Sequence, residues 1–184
     1  MAERTARAGE PGQDTTVTRR YRDLMTGFPS GVAVVTAIDA AGDPQGMTCT
    51  SLASVTLVPP TLLVSLRHGS ATLSAVEARR AFAVNLLGCG AREVAALFAA
   101  PVPDRFGRVR WEPSPQGLPW LVDEALGRAD CVTVGGVDVG DHQVVFGEVV
   151  RVSLRGGNPL LYGMRRFGAW GTEGCPGCHR AQVC

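Results

Sequence analysis

From residue 21 onward, apolar side chains come in short runs cut by clusters of Gly, Pro, Asn and Asp, a rhythm that predicts many strands and few helices. Residues 31–38 (GVAVVTAI), 61–66 (TLLVSL), 81–87 (AFAVNLL), 129–134 (ADCVTV) and 143–154 (QVVFGEVVRVSL) read as strands, with a short apolar piece at 159–164. Three stretches place apolar residues at helical spacing instead. They are 21–28, the segment after Ser70 with Leu73, Ala75 and Val76 inward, and 92–100 with Val94, Leu97 and Phe98 on one face. The cluster at 39–44 (DAAGDP) suits a hairpin turn. Residues 45–57 (QGMTCTSLASVTL) stand apart: seven Ser, Thr, Cys and Gln side chains are too polar for the inside of a buried strand. Val58-Pro59-Pro60 then breaks the ladder, because neither proline has an N–H to donate. Residues 101–119 form a proline-studded connection carrying Arg105, Phe106 and Trp111, and 135–142 (GGVDVGDH) lead into the last long strand. Hairpin strands with inserted helices and a β return suit a closed antiparallel barrel better than alternating βαβ units.

Composition narrows the chemistry. The 184 residues make one domain, expected at 21–170, with a loose arm at 1–20 and a Cys-rich tail at 171–184. A net charge of +1 gives no case for a nucleic-acid partner. All 18 basic residues are Arg, which removes Schiff-base chemistry and a P-loop lysine. No apolar run is long enough for a signal peptide or a membrane span, so a cytoplasmic protein is expected. Of the six cysteines, Cys49, Cys89 and Cys131 lie in apolar segments and are expected to pack as small hydrophobes. Cys175, Cys178 and His179 spell the c-type haem pattern C-x-x-C-H, but haem attachment follows export and no export signal is present. Cys175, Cys178 and Cys184 offer an incomplete metal set or a thiol redox pair; an unstructured end is the leading reading.

Two familiar sites fail on inspection. Gly88-Cys89-Gly90 sits between a strand and a helix, yet the third glycine of a dinucleotide fingerprint would fall at Glu93. No G-x-S-x-G accompanies His68 or His142, and Asp141-His142 reads equally as a general-base pair or an exposed turn. The polar stretch at 46–51 is the better lead. Hydroxyls and backbone N–H groups beside Gly46 can hold a phosphate or an oxygen-rich ring without positive charge. Arg67, Ser70 and Thr72 lie where the next strand turns into a helix, whose N-terminus favours anions. Polar edge strands plus a helix cap account for the same residues.

The order of motifs carries a resemblance. FPSGVAVVTA (28–37), GMTCTSLASVTLVPPTLLVSL (46–66), Ser70-Ala71-Thr72, FAVNLL (82–87), Arg105-Phe106, Gly140-Asp141-His142 with Gly147, and PLLYGMRRF (159–167) together resemble the short flavin reductases, the reductase components of two-component monooxygenases. The resemblance implies a mainly β, Greek-key-like split β-barrel with inserted helices that forms a homodimer and binds flavin near the subunit interface. By position, Gln45, Gly46, Met47, Thr48, Thr50 and Ser51 would line the flavin ring and ribityl chain. Ser65, Leu66, Arg67, Ser70 and Thr72 would hold its phosphate side, and Asp141, His142, Arg166 and Phe167 would meet the nicotinamide nucleotide. The implied cofactors are FMN or FAD, with NADH or NADPH as hydride donor. The implied partner is a separate monooxygenase that receives reduced flavin. No side chain would be catalytic; backbone N–H groups at 48–51 would stabilise charge on the flavin, and His142 would position the nicotinamide. A permanently bound FMN acting on a third molecule, or a flavin-binding or metal-sensing module without turnover, remain as alternatives. Two features depart from the pattern: Cys49 stands where Ala or Ser is commoner, and the tail matches nothing in it.

Overall fold

The computed structural model describes residues 15–170; the Cys-rich tail, with Cys175, Cys178 and Cys184, lies outside the described residues. Helix α1 (Thr16–Thr26) begins before residue 21 because Thr15 caps it, its Oγ1 accepting the Thr18 N–H at 3.2 Å. Residues 16–20, expected in the arm, are therefore helical. The chain continues through β1 (Ser30–Gly31), β2 (Ala33–Ile38), β3 (Pro44–Cys49), β4 (Leu52–Leu57), β5 (Pro60–Arg67), α2 (Ala71–Arg79), β6 (Ala81–Leu87) and α3 (Arg92–Ala99). A 3-10 turn (Phe106–Arg108) and the short strands β7 (Trp111–Pro113) and β8 (Pro119–Leu121) precede β9 (Ala125–Val139), β10 (His142–Leu154), β11 (Leu160–Gly163) and β12 (Arg166–Ala169).

Seven strands form one sheet in the order β3-β2-β6-β9-β10-β5-β4. Its pairs are all antiparallel, which excludes the dinucleotide-binding βαβ unit considered for Gly88-Cys89-Gly90. The two end strands, β3 and β4, are consecutive in the chain with only Thr50 and Ser51 between them. The sheet therefore curls until its ends meet, but β3 and β4 do not pair. This is a barrel split along one seam, in agreement with the expected fold class. Inside it lie Val35, Ala37, Val64, Leu66 and Phe82, with Leu73, Ala75 and Val76 of α2 closing the core. The other face of β2 presents Val34, with Val32 just before the strand, to Ala95 and Phe98 of α3. Burial on both faces explains why β2 reads as an unbroken apolar run.

Several local expectations are corrected. The prolines do not break the ladder: Leu57 pairs with Pro60 across a tight turn, and the Val58–Pro59 peptide is cis. Residues 101–119 contain the 3-10 turn and β7, which pairs with β8. Gly135 and Gly136 are not loop residues but ladder positions opposite Phe146 and Val145. The missing side chain matters at Gly136, where a Cβ would meet the Val144 carbonyl at 3.1 Å. Cys49 and Cys131 are buried as expected, whereas Cys89 sits half-buried in the turn after β6 and is disulfide-bonded.

A buried polar knot fastens β8 to the barrel. Asn85 and Thr36 are both fully buried. Asn85 Oδ1 accepts the Leu121 N–H at 2.8 Å, and its Nδ2 donates to Thr36 Oγ1 at 3.1 Å and the Val34 carbonyl at 3.2 Å. Thr36 Oγ1 in turn donates to the Pro119 carbonyl at 2.6 Å. Removing the amide strands several buried partners at once, so Asn85→Ala should cost about 2–3 kcal/mol of stability. A urea midpoint equal to that of the parent protein would contradict this.

Candidate active site

An open groove of about 1020 Å³ runs along β3. Its floor is residues 44–48, one end is the β5–α2 turn (67–72), and the opposite wall is residues 98–106. Seven of the expected site residues meet here: Gln45, Gly46, Met47 and Thr48 from β3, and Arg67, Ser70 and Thr72 from the turn. The groove exists because β3 pairs with β2 alone. Along an antiparallel strand, backbone groups alternate between the two sides. The Gly46 carbonyl points away from β2, where Arg105 Nη1 donates to it at 2.7 Å. The N–H groups of Gly46 and Thr48 therefore point the same way, toward the groove.

Side chains on this floor are largely committed to the protein. Thr48 Oγ1 donates to the Ala95 carbonyl of α3 at 2.6 Å, and Gln45 Nε2 donates to Asp39 Oδ2 at 2.9 Å. Met47 packs into the barrel core. Gly46 is required by close packing rather than by a phosphate: a Cβ there would lie 3.0 Å from the Phe98 ring and 3.1 Å from the Phe106 ring. At the groove's end, Ser70 Oγ accepts the Leu73 N–H at 3.2 Å and caps α2. The exposed Arg67 stands beside this helix N-terminus, a combination that favours an anion. Arg67 and Arg105 are offset by Asp43 and Asp104 on the same walls, so the groove is not strongly basic.

The remaining expected residues lie elsewhere. Leu66 is fully buried in the core and offers a ligand no side chain, while the Ser65 N–H is spent on the Ser51 carbonyl at 3.0 Å. Thr50 and Ser51 line a second groove, of about 750 Å³, with Tyr21, Met25, Phe28 and Tyr162. Arg166 and Phe167 belong to β12, outside both grooves; Phe167 packs with Tyr162, ring centroids 5.2 Å apart, and Arg92 lies over its face. Asp141 and His142 stand near the first groove's rim, because His142 pairs with Arg67 in register and the Asp141 carbonyl accepts the His68 N–H at 2.9 Å. The sequence reading missed Phe98, Arg105, Phe106 and His68 as lining. The Arg105-Phe106 pair within a proline-rich connection was the available signal.

Residues 25–171 match the family described as flavin reductase like domain. The chain belongs to that family. It is 56% identical over 155 residues to a flavin reductase (NADPH) of Lentzea aerocolonigenes, covering 84% of this chain and 91% of that protein. It is 37% identical over 145 residues to the flavin-dependent monooxygenase reductase subunit HsaB of Rhodococcus jostii, covering 78% and 73% of the two chains. Among solved structures, the NADH:FAD oxidoreductase SgcE6 of Streptomyces globisporus C-1027, in complex with NAD and FAD fragments, superposes with a TM-score of 0.78 at 28% identity, over 85% of this chain and 94% of that one. Like other members of the flavin reductase family, this chain is a mainly β protein with few helices.

Asp141, near the groove's rim, has a displaced titration. It is exposed, and the hydrogen bond and positive charge of His142, whose Nδ1 lies 2.8 Å from Asp141 Oδ1, hold its carboxyl below the ordinary carboxylate range. A pKa depressed in the native state means that the contact helps folding above the ordinary value and is lost as pH falls through the lowered one. In an NMR titration Asp141 should reach its midpoint below about 3.9, and His142→Ala should bring it back toward that value. An Asp141 midpoint that does not respond to His142→Ala would contradict this.

Proposed function

We propose that the protein is an NAD(P)H-dependent flavin reductase that binds free FMN or FAD, reduces it, and releases it to a separate flavin-dependent monooxygenase. The observation that carries this reading is the open edge of β3, which directs the Gly46 and Thr48 N–H groups into a groove large enough for a flavin nucleotide. Hydride transfer from nicotinamide to flavin is chemistry that the cofactors supply when bound. The chain's own contribution is placement: a neutral amide floor to stabilise developing charge without reorganising, and an anion-favouring end at Arg67 and the α2 N-terminus. His142, held by Asp141 near the rim, positions the nicotinamide nucleotide, and Thr50 and Ser51 extend the flavin site across the seam. Names of family members and the fit of the groove both support this reading.

The same proposal includes a homodimer working in the cytoplasm. Val132, Val134, Val137 and Val139 of β9 and Val150, Val152 and Leu154 of β10 are exposed, a concentration of apolar side chains that a second copy would cover. Among the described residues, no helix is long and apolar enough to cross a membrane.

Anaerobic mixing of the purified protein with NADPH or NADH tests the function. Nicotinamide oxidation should require added free flavin and bleach it stoichiometrically, and His142→Ala should raise the nicotinamide KM more than the flavin KM. Protein that stays yellow through desalting and oxidises nicotinamide without added flavin would instead favour a permanently bound FMN. No oxidation with any flavin would leave a binding module.

A further inference from the structure

We infer that Arg105 is a positioning residue for the flavin: its guanidinium fastens the 101–106 wall to the backbone of β3 and so sets the width of the groove. The inference rests on the groove being the flavin site. No strand holds the connection between α3 and the 3-10 turn at Phe106–Arg108. One side chain does so with two hydrogen bonds. Nη1 donates to the Gly46 carbonyl at 2.7 Å, joining segments 59 residues apart, and Nε donates to the Val102 carbonyl at 3.2 Å, tying the guanidinium back to its own loop. A charged donor on a half-buried carbonyl is stronger than an amide pair, and the fork of Arg can serve two acceptors at fixed angles.

Packing supports the same placement. Phe106 meets Phe98 edge-to-face with centroids 5.2 Å apart and meets Trp111 at 5.7 Å. The absence of a side chain at Gly46 lets the first pair settle against β3. Asp104 takes a left-handed conformation (φ 50°), and its carboxylate accepts the Gly107 N–H at 3.1 Å, which turns the chain on either side of Arg105. Removing the Arg105 clamp leaves the aromatic contacts at the far end of the wall but frees residues 101–105 from the groove floor.

Because Arg105 also lines the groove, its charge offers a second explanation, contact with a flavin phosphate. Riboflavin, which has no phosphate, separates the two. Arg105→Ala should raise the KM for FMN and for riboflavin alike by about tenfold, with kcat held within about threefold and the nicotinamide KM unchanged. Arg105→Lys, with one compact donor group in place of the fork, should recover part of the loss for both flavins. A KM rise confined to FMN would assign Arg105 to the phosphate and overturn the clamp, as would unchanged KM values for both flavins. Thermal unfolding of each variant accompanies the kinetics. If Arg105→Ala does not fold, the Lys variant decides: its riboflavin KM must exceed that of the parent protein. A parent protein that reduces neither flavin defeats the reading of the groove itself, a result distinct from a null effect at Arg105.

Discussion

The functional reading depends on one unmade set of hydrogen bonds. A barrel whose end strands paired would spend the outer edge of β3 on β4, and no amide would face solvent there. In this chain β3 stops at Cys49 and β4 starts at Leu52, and β4 pairs with β5 alone. The edge left over is normally a liability, open to pairing with another chain. Here it is partly covered by α3 and by the Arg105 wall, one of whose bonds takes a β3 carbonyl. What remains is a short row of backbone donors at the bottom of a groove. Such donors are fixed by the ladder on their other side, so they cost little reorganisation when charge develops beside them.

This arrangement also explains the composition of the site. With no lysine in the chain, the groove's arginines among the described residues are Arg67 and Arg105, beside a helix end, and two aspartates balance them. An uncharged floor suits a ligand whose ring is neutral when oxidised and gains electron density on reduction. The buried Cys49 and Cys131 stay out of this chemistry. Burial pushes the Cys131 thiol up to about 12 and raises that of Cys49, which leaves both protonated and unreactive.

Much of this was legible in the chain. Period, turn residues and the Ser70 cap located the central strands and α2, because local pattern and burial agree there. The polar run at 46–51 marked part of β3, a strand that is not wholly buried. Roles within that run were not readable. Thr48 looks like a ligand hydroxyl but caps a carbonyl of α3, and Gly46 looks like a phosphate-approach glycine but makes room for two rings. Both partners come from residues about 50–60 positions away, and no local rule specifies such contacts. The direction of Leu66 has a related cause: alternation along β5 sends its side chain into the core while its neighbours Ser65 and Arg67 face outward to differing degrees. The long connection was underread because proline density suggested a loop, whereas a 3-10 turn and a paired strand organise it.

The central claim is that flavin lies along the open edge of β3 between the α2 turn and the Arg105 wall. Hydrogen–deuterium exchange with and without saturating FMN tests it directly. Protection concentrated in residues 44–48, 67–72 and 98–106 is the predicted result. Protection confined to the second groove, at residues 21–30 and 50–53, or no protection at all, would contradict it.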